Sequence, residues 1–182
     1  MAETSTICRF GWKAQDFALK GVDGKTYRLA DVRGKNGTLV IFLCNHCPYV
    51  RAVISRIVEE AKALQKIGIG VIGIMSNDTQ VSPEDSFDKM KEFARQQGFS
   101  FPYLIDETQA VARAYDAQCT PDFFGFNARD ELQYRGRLDA SRRELIAGAR
   151  RDLFEAMKQI ADTGKGPQEQ IPSMGCGIKW RE

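Results

Sequence analysis

Between an uninterrupted apolar run, Thr38 to Leu43, and an amphipathic stretch, Pro48 to Lys66, stand Cys44-Asn45-His46-Cys47. No other feature constrains the chain as strongly. The run TLVIFL is what a central strand buried on both faces requires. In the following stretch Val50, Val53, Ile54, Ile57, Val58, Ala61 and Leu64 recur at helical spacing, leaving Arg51, Glu59, Glu60 and Lys62 outside. A buried strand feeding an amphipathic helix opens a βαβ unit, so part of the sheet is parallel and carries helices. Pro48 disfavours helical dihedrals in the residue before it and suits the first helical turn. The helix therefore starts near Cys47, with Cys44 in the turn before it.

The rest of the chain extends this pattern. Residues 14–29 read as a β-hairpin, Phe17-Ala18-Leu19 and Thr26 to Leu29 about the turn Gly21-Val22-Asp23-Gly24, followed by a helical turn over Leu29 to Gly34. Ile69 to Met75 is a second buried strand. Ser82-Pro83-Glu84-Asp85 reads as the capped start of a helix with Phe87, Met90, Phe93 and Ala94 inside and Gly98 at its end. Phe101 to Ile105 is a short strand and Thr108 to Tyr115 a short helix. Phe123 to Phe126 and Leu132 to Arg135 pair as a hairpin. Ser141 caps a last helix whose inner face is Leu145, Ile146, Ala149, Leu153, Ala156, Met157 and Ile160. The fold class is α/β: a mixed central sheet with helices on both faces and an N-terminal β-hairpin. Residues 1–162 form one domain, and the tail 163–182 packs on it because Ile171, Met174, Ile178 and Trp180 are too apolar for a free terminus.

At 182 residues the chain holds one core. Hydrophobic residues make up 43% and charged residues 27%, which excludes a disordered or membrane-spanning chain, and no apolar run reaches the roughly 18 residues of a membrane helix. A net charge of +2 with interleaved signs gives no footprint for nucleic acid. Met1 to Phe10 has no apolar leader, so the expected location is cytoplasmic. Five cysteines, an odd number, fit a reducing compartment better than a structural disulfide framework.

The dithiol sits where its chemistry needs it. A thiolate is the nucleophile of disulfide exchange, and a helix N-terminus favours negative charge. The spacing lets one thiol attack a mixed disulfide formed at the other. An imidazolium at His46 lowers a neighbouring thiol pKa, to between about 3.5 and 7 in such motifs against ~8.5 for free cysteine. On that basis Cys44, upstream of the helix and the more accessible, is the attacking thiol, and Cys47 resolves. The same imidazolium makes the pair more oxidising, by roughly 20–65 mV, than a dithiol near about −270 mV. Read instead as half a zinc site, CxxC needs further ligands, and His46 is the only histidine; no metal ligand and no cofactor is assigned.

Downstream, Cys119-Thr120-Pro121-Asp122 opens a late strand. Taken with Phe17-Ala18-Leu19, Cys44 to Tyr49, Asp106-Glu107-Thr108 and the tail Ser173 to Trp180, it resembles the thioredoxin-fold proteins of the alkyl hydroperoxide reductase/thiol-specific antioxidant superfamily, specifically the peroxiredoxin-like family that carries a CxxC. The resemblance covers nearly the whole chain. It implies a thioredoxin-like fold and a cis Thr120-Pro121 peptide facing the dithiol, where the adjoining backbone binds an extended substrate. Two features depart from it. Thr38 stands where thioredoxins carry a buried acid, so the dithiol lacks a proton acceptor in its own strand. Cys44 stands where peroxiredoxins carry a hydroxyl residue. Arg135 and Arg137 are candidates for polarising a peroxide, set against the plainer reading of solvated strand-end charges. Cys8, near a frayed terminus, is incidental. Cys119 and Cys176 are accessory thiols: Cys176 is expected to come close to Cys119, within reach of a disulfide or of exchange with the main dithiol, set against the plainer reading of a small apolar filler.

The functional expectation is a thiol–disulfide oxidoreductase in redox homeostasis. A thiol-dependent peroxidase is the first alternative, and a redox-sensing or metal-binding module without turnover the second. The corresponding partners are disulfide or thiol proteins, or peroxide plus a thiol reductant, with no nucleic acid, no membrane and an open oligomeric state.

Overall fold

A computed structural model describes residues 1–182. Its main sheet has seven strands in the order β3-β2-β6-β5-β4-β8-β9: β2 (Ala18–Gly21), β3 (Thr26–Arg28), β4 (Gly37–Phe42), β5 (Ile69–Met75), β6 (Tyr103–Ile105), β8 (Asp122–Phe126) and β9 (Leu132–Tyr134). The strands β4, β5 and β6 are parallel, and the outer pairs are antiparallel. A second sheet joins β1 (Ala2–Thr4), β10 (Met174–Gly177) and β7 (Cys119–Thr120) in the order β1-β10-β7.

Alternation along the strands decides which helices cover which face. Leu39, Ile41 and Leu43 point to one side, into a core made with α2 (Pro48–Lys66), α3 (Phe87–Gln97) and α5 (Asp152–Thr163). Val40, Phe42, Ile72 and Ile74 point to the other, against α1 (Leu29–Val32) and α4 (Ala110–Tyr115). Every residue of β4 is buried, as its apolar run requires. Gly70 permits a close approach: a methyl there would collide with the Val32 carbonyl oxygen. No helix is long and apolar enough to cross a membrane.

Three local expectations are corrected. The last helix begins at Asp152, not after Ser141. Gly148 takes a φ of 69°, which no right-handed helix contains, so Leu145 and Ile146 stay 45% exposed. Ser141 instead meets Arg56 and the Ile146 N–H. The helix expected at Ser82 is split: Pro83–Asp85 is a 3-10 turn, and the α3 cap is Ser86, whose hydroxyl accepts from Lys89 N–H. The N-terminus is paired rather than frayed, with Ala2 opposite Cys176 and Thr4 opposite Met174. Backbone pairing of exposed residues leaves no hydrophobic pattern to read.

Arg135 is not solvated. Its side chain is 3% exposed and its Nη2 lies 3.0 Å from Asp122 Oδ2, a carboxylate with no exposure. The guanidinium also donates to the Asp116 carbonyl and Thr6 Oγ1, and it covers the Phe124 ring. Arg137 pairs with Asp152. Both arginines are thus engaged in ion pairs.

Candidate active site

The loop between β4 and α2 is tied down at nearly every residue. Asn45 N–H donates to Asp85 Oδ1 at 2.7 Å, and the Asn45 side chain donates to the Glu84 carbonyl. Tyr103 OH donates to Asn45 Oδ1, and Arg51 Nε to the Asn45 carbonyl. Cys47 is the N-cap of α2; its carbonyl accepts from the Val50 and Arg51 N–H groups, with Pro48 at the position where no N–H is needed.

Facing this loop is a cis peptide between Thr120 and Pro121. Cys44 Sγ lies 3.2 Å from Thr120 Oγ1, and Cys47 Sγ 3.4 Å from the Thr120 carbonyl oxygen. Cys47 is disulfide-bonded to Cys176, with Cα atoms 6.2 Å apart. Cys176 reaches it from β10, which runs antiparallel to β7 with Cys176 opposite Thr120 and Gly177 opposite Cys119.

The accessory-thiol expectation holds for contact between Cys176 and the main dithiol and is corrected for a bond to Cys119. Cys176 bonds Cys47, not Cys119. Neighbouring strand residues point to opposite faces, so when Thr120 faces the dithiol Cys119 cannot. Its sulfur instead lies 3.6 Å from the Pro121 carbonyl. Cys44, expected to be the accessible thiol of low pKa, has no exposure, and Cys47 has none either, so burial does not rank the two. Burial, with the Asp85 charge adding to it, pushes its thiol up to about 11. Burial also raises the thiols of Cys8, to about 11, and of Cys119.

Asp85 is the residue that sequence reasoning missed. It lay inside a segment that reads as a helix start, and no pattern marks an acid that turns inward. It has no exposure and accepts from Asn45 N–H and from Asn77 Nδ2. His46 Nδ1 lies 2.7 Å from Asp85 Oδ2, at ion-pair distance but out of line for a hydrogen bond. An imidazolium there would face a carboxylate as well as a thiol, which weakens the expected pull on Cys44. The ligand atoms of Cys44, His46 and Asp85 lie within 4.8 Å of one another. Two ligands of one zinc ion at about 2.0–2.3 Å stand more than about 3 Å apart in a tetrahedral site. The His46–Asp85 contact is shorter than that, so a metal there requires the pair to open.

Three outcomes are expected. In the oxidised protein, alkylation of Cys44 by iodoacetamide will be slow at neutral pH and will rise with a midpoint near 11. Asp85→Asn will move that midpoint down and speed alkylation several-fold at pH 8, because a like charge is removed. Reduction of Cys47–Cys176 will lower stability by about 2–4 kcal/mol in urea titrations. The cross-link spans 129 residues, for which loop entropy sets a ceiling of about 5 kcal/mol.

Over residues 10–137 the chain matches the AhpC/TSA family. It belongs to that family. Among its curated relatives, thiol-disulfide oxidoreductase ResA of Geobacillus thermodenitrificans (strain NG80-2) is 28% identical over 119 residues, 65% of this chain and 64% of the relative. The chain thus spans just under two thirds of that relative's length. Peroxiredoxin Bcp of Bacillus subtilis (strain 168) is 28% identical over 115 residues, 63% of this chain and 68% of that one. The crystal structure of an uncharacterized conserved protein from Geobacillus kaustophilus is 41% identical, with a TM-score of 0.94 over 100% of this chain and 97% of that one. The fold is thioredoxin-like, as the AhpC/TSA resemblance implied.

Proposed function

We propose that this chain is an enzyme of thiol–disulfide exchange whose reactive centre comprises Cys44, Cys47 and Cys176. The observation that carries the reading is the Cys47–Cys176 bond beside cis Thr120-Pro121, with Cys44 a free thiol at the same threonine. The relationship to ResA supports it.

In this reading Cys47 is the sulfur that meets the partner, which reverses the order suggested by position alone. With the protein reduced, the Cys47 thiolate attacks a substrate disulfide. A Cys47–substrate bond forms and the first substrate sulfur leaves as a thiolate. Cys44 or Cys176 then gives its proton to the departing substrate thiolate and attacks Cys47, expelling the second substrate thiolate. The substrate gains two electrons and the protein keeps one disulfide. Exchange between Cys44–Cys47 and Cys47–Cys176 transfers no net electrons, so the tail stores the oxidised state. The free thiols Cys8, Cys44 and Cys119 suit a reducing, cytoplasmic setting for this chemistry, and cell fractionation tests that location.

The position of Cys47 at a helix N-terminus, and the relationship to peroxiredoxin Bcp, favour a second reading. There the Cys47 thiolate attacks a peroxide oxygen and becomes a sulfenic acid while hydroxide or alkoxide leaves. Cys176 then condenses with it, releasing water. Stopped-flow mixing of the reduced protein with hydrogen peroxide and with a protein disulfide separates the two. Oxidation by the disulfide at least tenfold faster supports exchange; the opposite ratio supports the peroxidase.

A further inference from the structure

The C-terminal strand lies where an extended partner of this site would lie. We infer that β10 is a tethered stand-in for substrate: the β7 edge beside Pro121 is a docking surface for an extended polypeptide whose cysteine is preceded by glycine, and the tail competes for it. The inference rests on the exchange reading and names its substrate class.

Main-chain pairing provides the docking. Residues 176 and 177 oppose 120 and 119 in antiparallel register, and Cys176 is bonded to the reactive sulfur. Strand addition takes its affinity from the backbone and its selectivity from the side chains that the edge admits. Here selectivity falls on the residue before the cysteine. A methyl on Gly175 would collide with the carbonyl oxygen of Thr120 and lie 3.1 Å from Pro121 N. Those are backbone atoms held by the neighbouring bonds, so they cannot swing away. Beside Gly177 the nearest atom is Glu3 Cγ at 2.9 Å, a side-chain atom rather than a backbone one, so a larger residue after the cysteine is admitted once the Glu3 side chain shifts.

The tail is anchored on both sides of its reactive cysteine: before it, the Ser173 hydroxyl donates to the Pro121 carbonyl and the Ser173 N–H to Ser5 Oγ. Lys179 N–H donates to Asn77 Oδ1, while the Lys179 carbonyl accepts from Asp78 N–H and Gln109 Nε2. Ile178 is buried, and Arg113 lies over the Trp180 ring. Residues 174–177, with β1 paired to them, can move off the β7 edge on reduction only between these two anchors, so Ser173 and 178–180 keep the strand nearby, at high effective concentration.

The test uses a peptide of residues 172–180 whose cysteine carries thionitrobenzoate in a mixed disulfide. Attack by Cys47 forms the Cys47–peptide bond and releases coloured thionitrobenzoate. Reduced Gly175→Val full-length chain, its own strand displaced, is expected to react at least tenfold faster than the native chain. It should also prefer that peptide at least tenfold over the same peptide carrying the glycine-to-valine change. If Gly175→Val does not fold, reduced Cys176→Ser must show the same preference between peptides. Equal rates for the two peptides, or no gain over the native chain in Gly175→Val, overturn the inference while reaction with glutathione disulfide leaves the exchange reading standing. If neither peptide nor glutathione disulfide reacts with any reduced form, the exchange reading fails and the inference with it.

Discussion

Cys47→Ser will abolish multiple turnover, by roughly 10³-fold or more, with either disulfide or peroxide as oxidant. Cys47 is the one sulfur common to both exchange partners: it caps α2, lies at the Thr120 carbonyl and carries the bond to Cys176. A serine hydroxyl there can neither form nor accept a disulfide. Cys44→Ser should behave differently. Its first half-reaction survives, so a burst releases one equivalent of substrate thiol where the protein stops as a mixed disulfide and two where Cys176 closes on Cys47. Intact mass after alkylation distinguishes these species. A burst retained by Cys47→Ser and lost by Cys44→Ser would restore Cys44 as the attacking thiol.

Arg135→Ala should cost about 3–5 kcal/mol of folding stability, the price of leaving a buried carboxylate unpaired. Asp122 has no exposure, and the arginine supplies its ion pair along with donors to Asp116 and Thr6. The loss will depend on pH in a definite direction. Burial raises the Asp122 pKa above the ordinary aspartate value of about 3.9, and Arg135 works against that rise. A raised carboxyl pKa contributes stability that is present below the unfolded value and lost as pH climbs through the folded one. Without Arg135 the folded pKa climbs further, so the deficit widens from about pH 4 upward and then levels off. Urea titrations at pH 4 and pH 8 check this. An equal deficit at both would mean that the arginine acts through packing on Phe124 alone.

Much of this protein is legible in its sequence because the signals are local. The continuous apolar run of β4 and the helical spacing of Val50 to Leu64 locate the dithiol at a strand–helix junction. Thr120-Pro121 locates the strand opposite, and the apolar tail announces that it docks. What resisted reading has a common physical character. Gly148 breaks an apolar period that runs on past it, because periodicity reports which side chains are apolar and not which backbone angles connect them.

The inward turn of Asp85, the burial of Arg135 against Asp122 and the pairing of β1 with β10 are long-range matches between polar or exposed residues. Such residues carry no pattern in a single chain. The same holds for the choice among five cysteines. Their spacing marks Cys44 and Cys47 as a pair that can react. Which sulfur Cys176 meets depends on the register of β10 against β7, since a shift of one residue would turn Cys176 to the other face of the strand. By itself the sequence determined the fold and set Cys44 and Cys47 at a strand–helix junction, through propensity and burial, while the facing proline followed from the family resemblance. The tertiary structure alone decided the thiol partner, the buried acid and the strand that covers the site, because each depends on geometry set by residues far apart in the chain.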